Sequence, residues 1–246
     1  MTGAGAETGE FRLNDLATAE LTKIRTLPAS WLAFTVALVL NTALGFVAGT
    51  DAVRLAGAGG TTPIAQLGVV MLAPAYVLLA VPVLAVGSEY RGGQFRVSLA
   101  AVPARHRFFA AKLLVSAAVT AVAAVVVVVP GYVLEHGSAT TVDGLAARAL
   151  AYLLLGLTGF GFAALAQSVV TPIAVLFILP VPVSTTLGGL LPRLVRLLPH
   201  EAMLSFLGMP AGPELTLARP AGLAVATAWA TLLVTLGWFT TARRNS

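Results

Sequence analysis

The chain has 246 residues, of which 58% are hydrophobic and 10% are charged, and its mean hydropathy is +0.91. This is far more apolar surface than a soluble domain of that length can bury, so the composition excludes a soluble globular protein and indicates an integral membrane protein. The net charge is +5, but the basic residues lie at the ends of apolar stretches and beside no aromatic surface for stacking bases. We therefore expect them to contact membrane lipids and a partner protein, and no nucleic acid. The absence of cysteine excludes disulfides, thiolate zinc sites and iron–sulfur clusters.

Residues 1–30 are predicted to form a polar tail and an interfacial helix that runs from Asn14 or Asp15 to about Leu27. Apolar side chains lean to one side of this helix, and charged side chains lie on the others. The apolar set is Leu16, Ala17, Leu21, Ile24 and Leu27, and the charged set is Asp15, Glu20, Lys23 and Arg25. The helix ends at Pro28 and is followed by Trp31, a residue typical of the headgroup region. We expect the helix to lie along the membrane surface, with a merely solvated helix as the alternative.

Six apolar stretches are long enough to cross a bilayer as helices, which at about 1.5 Å per residue must bridge a hydrocarbon core of about 30 Å. We expect residues 31–246 to form a single all-α transmembrane domain. The predicted spans are residues 31–49, 64–87, 108–134, 149–167, 172–191 and 221–241. Prolines predict bends in the second and fifth of them. Residues 192–220 are too polar to cross but keep apolar residues between their charges, so we expect this region to lie at the outer interface or to dip partway into it.

The distribution of basic residues predicts the orientation, because cytoplasmic loops carry an excess of Lys and Arg. With both termini in the cytoplasm, ten basic residues fall inside and five fall outside. The inner residues are Arg12, Lys23, Arg25, Arg91, Arg96, Arg105, Arg107, Lys112, Arg243 and Arg244. The outer residues are Arg54, Arg148, Arg193, Arg196 and Arg219. This bias favours a multi-pass protein of six spans with both termini in the cytoplasm.

Motifs for chemistry are scarce in the sequence. Ionisable residues are confined to the loops and to the ends of the predicted spans, whereas ion-driven carriers need such groups inside the bilayer. The chain has no GxxxxGK[ST] phosphate loop, so any ATP must be bound by another polypeptide. His200 and Glu201 begin like an HExxH zinc motif, but Leu204 stands where the second His would be. We expect no catalytic residue, no metal site and no cofactor site in this chain.

The segment 89–112 is the only long, polar and basic stretch between two apolar stretches of spanning length. Glu89 ends the second span, and the chain then reads Tyr-Arg-Gly-Gly up to Gly93. Arg96, Leu99, Pro103 and Arg105 follow in that order, and an Ala-Lys pair leads into the third span. In this order and at this place the segment resembles the ABC-2 type permease family, the transmembrane subunits of bacterial ABC exporters.

The resemblance to this family implies a fold and a mode of action. Members of the family have an elbow helix before the first span, a cytoplasmic coupling helix between the second and third spans, and re-entrant helices before the sixth. They pair with a second copy of themselves or with a related permease, and with a P-loop ATPase that binds ATP and Mg. The residues of this chain that would face the ATPase are Glu89, Arg91, Gly92, Gly93, Arg96, Leu99 and Arg105. The apolar spans suit a lipophilic or amphipathic cargo, and the expected location is the bacterial plasma membrane.

Two other hypotheses remain open. A membrane-embedded enzyme or scaffold acting on lipid needs a polar cluster at one membrane face, and the nearest candidates are His200, Glu201 and Glu214. A sensor or immunity subunit of the same family would share the sequence features of a transporter.

Overall fold

The computed structural model describes residues 13–57, 60–93, 105–209 and 212–243, with the backbone alone at 56, 57, 60, 91–93, 105, 181 and 185. The chain begins with helix α1, Leu13–Thr26, and helix α2, Pro28–Thr50. Leu27 between them is extended, as the residue before a proline prefers, and Pro28 opens α2 where no backbone N–H is required. The sequence therefore turns sharply at one residue between an amphipathic helix and an apolar one.

A small β-hairpin follows, where sequence analysis predicted only a loop in an all-α protein. Strand β1, Arg54–Gly57, pairs antiparallel with strand β2, Gly60–Pro63. Two four-residue strands carry too weak an alternating pattern to be recognised in sequence. The hairpin leads through a short 3₁₀ turn, Ile64–Gln66, into α3, Gly68–Met71, and α4, Ala73–Gly87.

Two long helices lie beyond the segment 89–112. A 3₁₀ turn, Ser88–Gly93, ends the second apolar stretch, and α5, Arg105–His136, begins the third. Helix α6, Val142–Ala166, is capped by Thr141, whose hydroxyl accepts a hydrogen bond of 3.2 Å from the backbone N–H of Gly144. Helix α5 extends two to three residues beyond each end of the predicted span 108–134, whereas α6 begins seven residues before the predicted span 149–167 and ends one residue before its end.

The predicted fifth span, 172–191, is an irregular helical segment. It consists of α7, Val170–Ile173, a π-helical turn, Ala174–Ile178, and α8, Pro180–Leu187. Pro180 lacks a backbone N–H, so the hydrogen-bond ladder changes at this point. Two short helices, α9, Pro192–Val195, and α10, Pro199–Leu207, and a 3₁₀ turn, Pro213–Leu215, then lead to α11, Arg219–Arg243.

Five helical stretches of the described residues are long and apolar enough to cross a membrane. They are Pro28–Thr50, Gly68–Tyr90, His106–Ala139, Val142–Ala166 and Arg219–Arg243. The segment 170–187 is not among them. Over the residues that the structure describes, the protein is therefore an all-α membrane protein apart from the small hairpin.

The second and fourth of these stretches form the centre of the fold. Of their most apolar windows, 67% of Gly68–Tyr90 and 61% of Val142–Ala166 is buried, against 22% of Pro28–Thr50 and 28% of Arg219–Arg243. The outer helices therefore present most of their apolar side chains to the surroundings, as expected of helices in lipid.

Helices α6 and α11 run parallel. Gly161 and Gly237 meet at one end of the pair, where a methyl group added to Gly237 would lie 2.8 Å from Cβ of Ala164. At the other end Arg148 of α6 and Arg219 of α11 line the same cavity. We call the end that carries α1 and residues 88–93 the α1 end, and the end that carries α10 the opposite end. The chain leaves α6 at the α1 end and enters α11 at the opposite end.

Polar contacts inside the bundle join α2, α5 and α6. The Asn41 amide donates a hydrogen bond of 2.8 Å to the carbonyl of Val127, and its oxygen accepts one of 3.0 Å from the hydroxyl of Tyr152. Gly131 allows this approach, because a Cβ there would lie 2.4 Å from the Asn41 carbonyl oxygen. The three helices are thus held in register by a single buried amide.

Candidate functional site

The segment 89–112 begins with Glu89, which the structure places inside the protein. Its side chain is only 4% exposed and contacts two lysines of the same chain. Lys112 donates to Glu89 Oε1 over 2.9 Å, and Lys23 also pairs with this oxygen. This buried carboxylate, paired with two lysines of its own chain, anchors the start of the segment, and its predicted contact with an ATPase stays a prediction.

Lys112, at the far end of the segment, is the centre of the arrangement. Its side chain is 3% exposed, and its ammonium bridges two carboxylates, Glu89 and Glu20, the latter over 2.6 Å. It also lies 5.1 Å from the centre of the Phe108 ring, a favourable position for a cation. Lys112 thus neutralises the first residue of the segment, Glu89, and Glu20 of α1 at the same time.

Helix α1 contributes the other half of the site. Leu16, Glu20 and Ile24 are its buried residues, spaced four apart on one face. Lys23 lies beside this face and reaches Glu89. We call Glu20, Lys23, Glu89 and Lys112 the charge cluster; it joins α1, the 3₁₀ turn after α4, and α5.

The charges of the cluster balance, with two lysines facing two glutamates. Burial, and then the nearby Lys112 ammonium, lower the pKa of Lys23 from its ordinary value, while its contacts with Glu89 oppose that shift. Removing one member would leave an uncompensated buried charge, which is far more costly than the net stabilisation from the intact pair. The cluster therefore acts as a specific connection between three elements.

Of the seven residues predicted to contact an ATPase, the structure describes five, which lie at the two ends of the segment. Arg91, Gly92 and Gly93 continue the 3₁₀ turn that Glu89 enters, and Arg105 opens α5. Arg96 and Leu99, and the coupling helix predicted around them, lie outside the described residues. The structure therefore shows how both ends of the segment are held, and the contact itself stays a prediction.

Glu20 and Lys23 were not among the predicted site residues, because the sequence pattern placed them on the charged sides of α1. The signal was present in the spacing, because Glu20 stands midway between Leu16 and Ile24 on the same helical face. A buried acid on an amphipathic helix requires a basic partner. Lys112 of α5 is this partner. In the sequence it had been counted only among the basic residues on the cytoplasmic side.

The residues of the alternative enzyme hypothesis are not brought together as one polar cluster at a face. His200 and Glu201 are buried on α10, at 4% and 0% exposure, whereas Glu214 is exposed. His200 Nδ1 lies 2.6 Å from the hydroxyl of Tyr76, and the hydroxyl of Ser184 donates to Glu201. Within the described ranges no three His, Cys, Asp or Glu side chains form a group that could hold a metal ion.

Comparison with known proteins does not assign the chain to a family. No protein-family model matches the chain, and no curated protein matches it.

Proposed function

We propose that this protein is the transmembrane permease subunit of an ATP-driven exporter of the ABC-2 type in a bacterial plasma membrane. In this proposal a separate P-loop ATPase binds ATP and Mg, and two permease copies enclose the pathway for a lipophilic or amphipathic cargo. The observation that supports it most is the charge cluster, which clamps both ends of the basic segment 89–112 to α1.

The charge cluster supplies the mechanical part of the proposal. A partner that pushes on residues 94–104 acts on a segment whose two ends share a salt bridge, Lys112 with Glu89. Displacement of the segment then moves α4 and α5 together, and α1 with them through Glu20. Arg91, Arg96 and Arg105 would bind the ATPase through charge, Gly92 and Gly93 would allow the turn, and Leu99 would fill an apolar pocket.

Six membrane crossings are part of the proposal, and the parallel course of α6 and α11 supports them. Since the chain leaves α6 at the α1 end and enters α11 at the opposite end, residues 167–218 must return across the bundle. The segment 170–187 has 18 residues and at 1.5 Å per residue a length of about 27 Å, close to the hydrocarbon core. Both termini then lie on the same side, the cytoplasm, where the basic residues are concentrated.

Copurification of a tagged permease with the P-loop ATPase encoded beside it tests the proposal. Arg96→Asp and Leu99→Asp together should abolish copurification, because they place carboxylates where the proposal requires a cation and an apolar side chain. Arg54→Asp is the matched control, since Arg54 is an exposed arginine at the opposite end, and it should leave the complex intact. Undiminished ATPase binding by the double variant would refute the assignment.

A further inference from the structure

A cavity of about 300 Å³ lies at the opposite end of the bundle, between the end of α5, the start of α6, the end of α10 and the start of α11. Its volume is that of a site for a small molecule, since such sites start at about 300 Å³. Its wall carries charged and aromatic side chains beside apolar ones. The cavity is therefore suited to a polar ligand.

Tyr132 of α5 supplies a free hydroxyl at this cavity. The residue lines the cavity and is 7% exposed. Its hydroxyl lies at the first turn of α6, where a methyl group added to Gly144, another lining residue, would collide with it. The hydroxyl oxygen has no hydrogen-bond partner among the described residues, yet it is not sealed inside the protein as the hydroxyls of Ser116 and Thr120 on the same helix are. A ligand in the cavity can therefore pair with it.

The ring of Tyr132 is held in place, which fixes the position of the hydroxyl. The imidazole of His136 stacks on this ring, with the two ring centres 4.0 Å apart. The guanidinium of Arg148 lies 5.1 Å from the centre of the same ring and pairs with both carboxylate oxygens of Glu135. Glu135 thus balances the charge of Arg148, and the hydroxyl is the part of Tyr132 that remains for a ligand.

Two further charges at the cavity have opposite signs, and neither has an ion-pair partner among the described residues. Arg219 opens α11, and its guanidinium lies against Gly208 at the end of α10, next to the lining residues Phe206 and Leu207. Asp143 belongs to the first turn of α6. A ligand with one negative and one positive group can pair with both, whereas a simple ion would meet a charge of its own sign at the same cavity.

We propose that this cavity binds a zwitterion, either a small molecule or a lipid headgroup. Its anionic group, a carboxylate or a phosphate, pairs with Arg219 and the Tyr132 hydroxyl, and its ammonium pairs with Asp143. The site lies within one chain and requires neither a second copy nor an ATPase. It stands independently of the exporter proposal.

Isothermal titration calorimetry of the protein purified in dodecyl maltoside tests the site with soluble probes. Glycerophosphoethanolamine carries the phosphate and ammonium of a lipid headgroup, and leucine carries the carboxylate and ammonium of a free amino acid. Each is compared with an analogue that lacks the ammonium, glycerol 3-phosphate for the first and 4-methylpentanoate for the second. We expect at least one zwitterion to bind about tenfold more tightly than its analogue, the difference that one charged hydrogen bond provides. The zwitterion that binds identifies the source, headgroup or free amino acid.

Variants of the wall separate this site from unspecific binding. Tyr132→Phe keeps the aromatic ring, so its unfolding without ligand should match that of the unmodified protein, while its affinity for the zwitterion should fall about tenfold. Arg219→Gln should abolish binding, whereas Arg193→Gln, which removes an exposed arginine that does not line the cavity, should leave it unchanged. In Asp143→Asn the zwitterion and its analogue should bind about equally.

Three results would overturn the proposal. They are binding of neither zwitterion, equal affinity of the unmodified protein for a zwitterion and its analogue, and an affinity that is unchanged in Tyr132→Phe or in Arg219→Gln.

Discussion

Lys112 is a single ammonium that serves two carboxylates inside the protein, Glu20 at 2.6 Å and Glu89 at 2.9 Å. Replacing it with glutamine leaves both acids buried with only Lys23 to balance them. We expect Lys112→Gln to lower the free energy of unfolding by about 3–5 kcal/mol, as measured for broken buried ion pairs. The measurement is thermal or SDS-induced unfolding in detergent, followed by tryptophan fluorescence.

A second substitution checks the cause of that loss. Adding Glu20→Gln to Lys112→Gln removes one of the two uncompensated acids and should recover part of the stability. Arg54→Gln is the control, because the Arg54–Asp51 pair is half exposed and such pairs contribute about 0–1 kcal/mol. If the double variant is less stable than Lys112→Gln, the charge cluster does not act as described.

At the scale of elements, the segment 170–187 is the one whose passage through the membrane most needs a test. The chain has no cysteine, so single cysteines report without background. Ser168→Cys and Gly189→Cys flank the segment, and Gly189 has open space around it. A membrane-impermeant maleimide should label Gly189→Cys in intact cells and Ser168→Cys only after the membrane is opened. Labelling of both from the same side would mean that the segment does not cross.

How much of the fold could be predicted from the sequence differs from one element to the next. Runs of apolar residues predicted the five long helices, because length and apolarity are local properties, and the bounds agree within a few residues except at the start of α6, which lies seven residues before the predicted one. Proline predicted that the segment 172–191 is bent, but it did not predict the π-helical turn, whose Phe177 packs against Tyr76 of α4 with ring centres 6.0 Å apart. Glu20 was misassigned because its partner Lys112 is 92 residues away. Asn41 was overlooked for the same reason, since Val127 and Tyr152 become its neighbours only in the folded bundle.

For the whole molecule, two adjacent buried residues make stability depend on pH in opposite directions. Burial lowers the pKa of His200 from 6.5 to about 4, so between these values the unfolded chain binds a proton that the folded chain refuses. The contribution of His200 to the free energy of unfolding is therefore fully present above pH 6.5. It is lost as the pH falls to about 4, and the free energy of unfolding then decreases by at most about 1.4 kcal/mol per pH unit. Burial raises the pKa of Glu201, against the Ser184 hydrogen bond, so this residue disfavours folding as the pH rises through the acid range.

Unfolding measured between pH 4 and 7.5 separates the two residues. Relative to the unmodified protein, His200→Gln should become progressively more stable as the pH falls below 6.5. Glu201→Gln should gain relative stability in the opposite direction, as the pH rises above 4.5. A difference between His200→Gln and the unmodified protein that does not change with pH would contradict the neutral, buried state of His200.

The charge cluster also constrains the order in which the polypeptide matures at the ribosome. Lys23 finds its partner Glu89 66 residues later, and Glu20 finds Lys112 after 92. Until α4 has been inserted and α5 has started, the acid and the base of α1 have no counterion and must remain hydrated. Helix α1 can therefore dock only after α4 and the start of α5 have been synthesised, so nascent chains truncated before residue 112 should leave α1 open to protease.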